Sequence, residues 1–411
     1  MLFVIGISIA FFLDFVLISK KRKTLADKVL VVWLFFIAVH LLLFYLHISG
    51  KSFEMPWLLG IHIPMPLLHG PFLFLYTGTL TNQLSLKRKI WLIHFIPVIA
   101  SWLYLLTFYV LPAEQKIFIF KHKGRGHETF MFINLIAIYT SGILYILGST
   151  LLLRRHRFAI LNQFSYTEKI NLRWLQYLIY GLAIIWLAVF LDNDEVVFTL
   201  VVAFIVFIGY FGIKQVGIFS YTNQAGHTNN DRVGNTGDKK NPVRGTQTGT
   251  IEEVTEAIGI PVPGIRTGAV ENTAEENPVE INIDKRKYSK SGLTEESAGN
   301  LHKELTRLME TEKLYMGSEL TLTDLARRLD THPNYLSQVI NEKEEKNLYD
   351  YINTLRIDAF KKLIADPANQ RYTILSLAYE CGFNSKSSFN RYFKKVTGES
   401  PSDYMRRQFG N

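Results

Sequence analysis

Hydropathy divides the chain into three parts. Over the first 219 positions apolar residues come in long runs, near 2–18, 29–48, 57–80, 90–111, 130–153, 174–191 and 196–213. Each approaches the ~20 residues that carry a helix across a ~30 Å hydrocarbon layer, so the pattern predicts seven transmembrane helices. From 220 to 287 the runs stop: Gly, Asn, Thr, Pro and Glu dominate, and no Phe or Trp occurs. So few apolar groups cannot offset the entropy of ordering, and this stretch is expected to be a disordered linker. From 288 to 411 apolar residues return at helical spacing, as in Leu301, Leu305, Leu308 and Met309. The expected fold class is all-α: a seven-helix transmembrane domain (1–219), a linker (220–287) and a small helical domain (288–411).

Charge orients the first part. The positive residues follow the first apolar run, as "KKRK" (20–23), and no small-residue cleavage site follows it. That run is therefore expected to be an uncleaved anchor with its N-terminus outside. Fourteen Lys and Arg then fall on the cytoplasmic side and five on the outer side, in keeping with the positive-inside bias. Seven crossings place the C-terminal domain in the cytoplasm.

Composition adds little to this division. The formal charge of +9 over 411 residues suits an anionic partner, either DNA or lipid headgroups. The single cysteine, Cys381, excludes an intrachain disulfide and a multi-cysteine zinc site. There is no Walker loop, HExxH, GxSxG or kinase signature, and neither an enzyme nor a cofactor is expected. Four histidines stand out in the apolar half. His40 and His47 share one helix face, His62 and His69 another, each pair seven apart or about two turns. In an antiparallel hairpin the four imidazoles fall in two facing layers. They are a candidate ligand site, with helix-to-helix hydrogen bonding as the simpler role. The prolines and glycine of "HIPMPLLHGP" (62–71) predict a broken helix there.

The last domain carries the most specific text. "LTLTDLARRLDTHPNYLSQVIN" (320–341) sets Leu322, Leu325, Ala326 and Leu329 on one helix. A turn at Asp330–His332 follows, then a second helix buries Leu336, Val339 and Ile340, with Pro333 in its first turn. "LAYECGFNSKSSFNRYFKKVTGESPSDY" (377–404) repeats the design. Ala378 stands in the role of Ala326, Gly382 supplies the turn, Asn384 can cap, and Phe389, Phe393 and Val396 anchor the second helix. "NLYDYINTLRIDAFKKLIAD" (347–366) joins the two units as one long helix. This is helix–turn–helix patterning, twice over.

Two such units on one connecting helix resemble the DNA-binding domain of the AraC/XylS family of bacterial transcription regulators, over about the last 115 residues. The first unit departs from the family pattern in having Asp330 for the usual turn glycine. With the apolar half in front, the whole resembles membrane-embedded regulators of that family. The resemblance implies base reading by Asn334, Ser337 and Gln338 in the first unit, and by Lys386, Ser387, Asn390 and Arg391 in the second. Asn and Gln match adenine edges, and Arg and Lys match guanine edges. Lys394, Lys395, Arg406 and Arg407 are expected to contact phosphate. The implied function is a membrane-anchored one-component regulator acting on double-stranded DNA. It would sense an unidentified small molecule or envelope signal, alone or as a homodimer. The alternative is a receptor or transporter whose helix–turn–helix module binds protein. With 220–287 as the only link, coupling is expected to act through tethering and local concentration instead of a rigid push.

Overall fold

A computed structural model describes residues 2–21, 23–84, 89–167, 170, 172–189, 193–214, 292–369 and 371–409. All belong to one compact unit drawn from Met1–Phe219 and Lys285–Asn411. The stretch 220–287, expected to be the linker, lies outside the described residues. Regular structure among the described residues is helical, apart from one isolated bridge between Phe164 and Thr321.

The first half begins with α1 (Leu2–Ser19) and α2 (Leu25–Ile48). A reciprocal cap starts α2: the Asp27 amide donates to the Thr24 hydroxyl, and the Thr24 amide donates to the Asp27 carboxylate. Lys20 adds a 2.7 Å ion pair to the same carboxylate, so the turn after α1 is tied to the start of α2. The third apolar segment is not helical throughout. Residues 51–65 are 3₁₀ pieces and turns, with Gly60 at φ +89°, and α3 (Pro66–Leu80) starts where Pro66 suits a first turn. Pro71 is accommodated inside α3. A 3₁₀ run over Lys89–Phe95 leads into α4 (Ile96–Tyr109), and the short α5 (Ala113–Lys121) follows. Then come α6 (Glu128–Gln163), α7 (Arg173–Val189) and α8 (Asp194–Lys214).

Trp33, Leu34, Leu73 and Leu175 are fully enclosed in this bundle. Its outer face is equally greasy: Phe12, Phe15, Leu103, Phe132, Leu144 and Leu187 are each 60–68% exposed. Apolar inside and out is the surface a bilayer requires and water penalises. Close approach needs small residues, and a Cβ on Gly142 would lie 2.7 Å from the Trp186 ring. Three helical stretches are long and apolar enough to cross a membrane: Leu25–Ile48, Lys89–Tyr109 and Glu128–Gln163. Three shorter apolar helices cover Phe3–Ser19, Arg173–Val189 and Glu195–Phe211.

The second half opens with α9 (Glu295–Thr311), capped by Thr294, which buries Leu305, Leu308 and Met309. The first helix–turn–helix unit is α10 (Leu322–Arg328) and α11 (Pro333–Lys343). The connecting helix α12 (Leu348–Ala365) leads to the second unit, α13 (Ile374–Glu380) and α14 (Lys386–Thr397), and α15 (Pro401–Phe409) closes the chain. Ala326 and Ala378 are both buried, letting the helices of each unit cross closely. Asp330 takes the left-handed turn position, φ +47°, that Gly382 takes at φ +96°. The cap of α14 is Ser385, which accepts the Ser388 amide at 3.1 Å, one residue beyond the expected Asn384. Serine here reaches the third amide of the helix, and Asn384 is left exposed.

The two halves meet directly. Leu161, near the end of α6, packs against the core of the second unit, and Ser165 hydrogen-bonds residues of α12. The expected linker is therefore not the only connection between them.

Candidate nucleic-acid interface

Each unit presents its second helix differently. On α14, Phe389, Tyr392 and Phe393 face the core with Ser388. The opposite face leaves Lys386, Ser387, Asn390 and Arg391 exposed. Burial every third or fourth residue fixes this orientation, since the remaining positions must face outward. Gly398, at φ +82°, ends the helix and turns the chain toward α15.

On α11 the outward face is narrower. His332 caps the helix by accepting the Asn334 amide at 3.2 Å, and Asn334 is exposed. Ser337 is half-buried, and its carbonyl accepts the Asn341 side chain. Gln338 is 7% exposed, its amide donating to both carboxylate oxygens of Glu342 at 3.1 and 3.3 Å.

The start of α12 supports α14 from behind. Asn347 caps α12 by accepting the Asp350 amide at 2.8 Å. The buried Asp350 carboxylate takes an ion pair from Lys395 at 2.7 Å, and its carbonyl accepts the Tyr392 hydroxyl at 2.7 Å. Arg391 donates to the Tyr349 hydroxyl at 3.2 Å. Tyr392 is held well above the usual phenol range by burial and then by the Asp350 charge. Tyr349 and Asp350 thus position α14, a role the sequence did not display. Asp350 and Lys395 lie 45 residues apart, and no local pattern links them.

Among the expected phosphate contacts, Lys394 is exposed. Arg406 pairs with Asp403 at 3.7 Å and Arg407 with Glu399 at 2.6 Å. Such exposed pairs are worth ~0–1 kcal/mol, so a phosphate can displace the carboxylate.

The four histidines come together in two pairs. His40 Nδ1 lies 2.9 Å from His69 Nε2, and the Trp33 indole N–H donates to His69 Nδ1 at 3.4 Å. Indole only donates, so with both rings neutral the His69 Nε2–H donates a hydrogen bond to His40 Nδ1. His47 and His62 stand with ring centroids 5.0 Å apart, flanked by Phe44, Phe53 and Phe120. Among the described residues no group of three or more His, Cys, Asp or Glu could hold a metal ion.

A family model described as a helix-turn-helix domain matches residues 325–407. Three relatives align with this part of the chain. The uncharacterized HTH-type transcriptional regulator YijO of Escherichia coli is 33% identical over 90 residues, 22% of this chain and 31% of its own. The melibiose operon regulatory protein of Escherichia coli is 30% identical over 87 residues, 21% of this chain and 28% of its own. The uncharacterized HTH-type transcriptional regulator YtdP of Bacillus subtilis is 30% identical over 91 residues, 22% of this chain and 11% of its own. The chain thus spans less than a third of the length of each of these three. No solved structure matches the chain. Residues 325–407 match a helix–turn–helix domain and are similar to the corresponding part of bacterial transcriptional regulators.

Proposed function

We propose that the chain is a membrane-anchored transcription regulator. In this reading 1–219 cross the bacterial inner membrane seven times, 220–287 form a linker, and 288–411 bind promoter DNA in the cytoplasm. One observation carries it: a two-unit helix–turn–helix domain follows an apolar bundle whose outer face is built from exposed Phe and Leu.

Base reading falls to Asn334 and Ser337 on α11, and to Lys386, Ser387, Asn390 and Arg391 on α14. Gln338 shares its amide with Glu342, so it reads a base only by giving up that bond. Arg391 keeps one Nη on Tyr349, which limits its swing, and its guanidinium suits a guanine edge. Lys394, Arg406 and Arg407 supply phosphate contacts. Lys395 joins them only by leaving Asp350, and the gain is smaller there. The paired histidines of the apolar half form the place for a signal to act. The test is to map the chromosomal sites occupied by the full-length protein in cells. Discrete sites sharing a sequence pattern, weakened by Arg391→Ala, support the reading; uniform or absent occupancy refutes it.

A further inference from the structure

Helix α6 is too long for its place in a membrane. Its 36 residues span about 54 Å, against roughly 30 Å of hydrocarbon. "RRHR" (154–157) marks where it emerges from the apolar run, and the remainder reaches the helix–turn–helix module.

The contact is built from buried polar groups. Beyond α6, Phe164 pairs with Thr321 in an antiparallel bridge, and the Ser165 amide donates to the Leu320 carbonyl at 3.1 Å. The Ser165 carbonyl accepts Asn353 Nδ2 and Arg356 Nη1, both at 3.1 Å, and its hydroxyl accepts Arg356 Nη2 at 3.1 Å. Arg356, 1% exposed, also donates to the carbonyls of Tyr315 and Gly317, both at 2.7 Å. Gly382 closes the other side: a Cβ there would lie 2.6 Å from the Met316 carbonyl oxygen. Segment 161–165 therefore touches the start of the first unit, the connecting helix and, through Leu161, the core of the second unit. It sits on the seam that sets the two reading helices relative to each other.

We propose that this seam is a docking surface whose occupant is the chain's own α6 end, and that α6 is a rigid lever. A shift or rotation of α6 within the membrane is delivered to the seam and alters the spacing at which α11 and α14 meet DNA. The inference rests on the membrane and DNA-binding readings above, but the dock itself can be tested without either. It places the signal path through 158–166 instead of through 220–287.

The test uses the full-length chain in native membranes, carrying Phe164→Cys and Thr321→Cys with a protease site inserted within 226–250. Cα atoms of an antiparallel pair lie about 4.5–5.5 Å apart, within disulfide reach. After mild oxidation and cleavage, the two halves should run as one band until reductant is added. Separation without reductant, while buried Cys381 stays unlabelled by maleimide, overturns the dock; Cys381 protection shows that the module is folded. One alanine inserted after Phe158 rotates the arm by about 100° and should abolish the disulfide. The same insertion, in a chain without the added cysteines, should change occupancy of the mapped chromosomal sites at least tenfold. Deleting twenty residues from 226–250 should change neither result. An insertion that breaks the disulfide yet leaves occupancy unchanged overturns the lever. If the unaltered chain occupies no site, the DNA-binding reading fails while the disulfide result stands.

Discussion

Arg391 and Cys381 show how far single positions can be interpreted. The exposed position of Arg391 on α14 was legible from the repeated helix–turn–helix text, but its bond to Tyr349 was not, because the two lie 42 residues apart. Arg391→Ala should weaken binding to the best site by ~1–3 kcal/mol and relax preference at one base pair. Lys394→Ala should weaken all sequences alike and flatten the salt dependence, since a phosphate contact carries no sequence. Competition binding across base variants of one mapped site separates the two outcomes. Cys381 is fully buried, and burial, with Glu380 adding to it, pushes its thiol up to about 12. The unfolded thiol ionises near pH 8.5. Its contribution to stability is therefore complete below about pH 8.5 and is lost as pH rises toward 12. Iodoacetamide at pH 8 should react only as fast as the module opens, and mass spectrometry of time points measures this.

At the scale of elements, the repeated unit explains what the sequence conveyed. Alanine at 326 and 378 and the turns at 330 and 382 are local patterns and formed where their spacing predicted, whereas Val396, expected to anchor the second helix, lies 37% exposed in its last turn. Local patterns do not distinguish neighbouring candidates, and so the cap fell on Ser385 instead of Asn384. The third apolar run shows the opposite limit. Its hydropathy is continuous, yet Pro56, Gly60, Pro64 and Pro66 leave 51–65 without α-helix. The two turns also differ in strain. Asp330 holds φ +47° at a cost that glycine avoids, so Asp330→Gly should stabilise the module by about 0.5–1 kcal/mol. Gly382→Ala meets both a positive φ and the Met316 carbonyl, and should cost at least about 2 kcal/mol. Thermal unfolding of the full chain, followed by exposure of Cys381 to maleimide, ranks the three proteins.

For the whole molecule, the proposed orientation in a membrane rests on where positive charge lies. Reporters fused after Lys23, Lys89 and Arg157 should be active in the cytoplasm, and those in 112–129 outside; a cytoplasmic reporter at Gly124 refutes seven crossings. The division into greasy, sparse and amphipathic stretches is read from the run of apolar and polar positions along the chain. The meeting of Ser165 with Arg356 is not. Neither residue belongs to a periodic pattern that announces a partner, and a buried arginine satisfied by carbonyls looks in sequence like any exposed one.

That same separation sets an order of events during biosynthesis. Ser165 and Arg356 are 191 residues apart, about 10–40 s of translation at 5–20 residues per second. The arm leaves the ribosome first, with its amide and carbonyl hydrated and its eventual partner not yet made. The module is made after the arm, so it emerges when that arm is already available. Each new chain therefore offers its own arm at high local concentration, which favours docking in cis over exchange between copies.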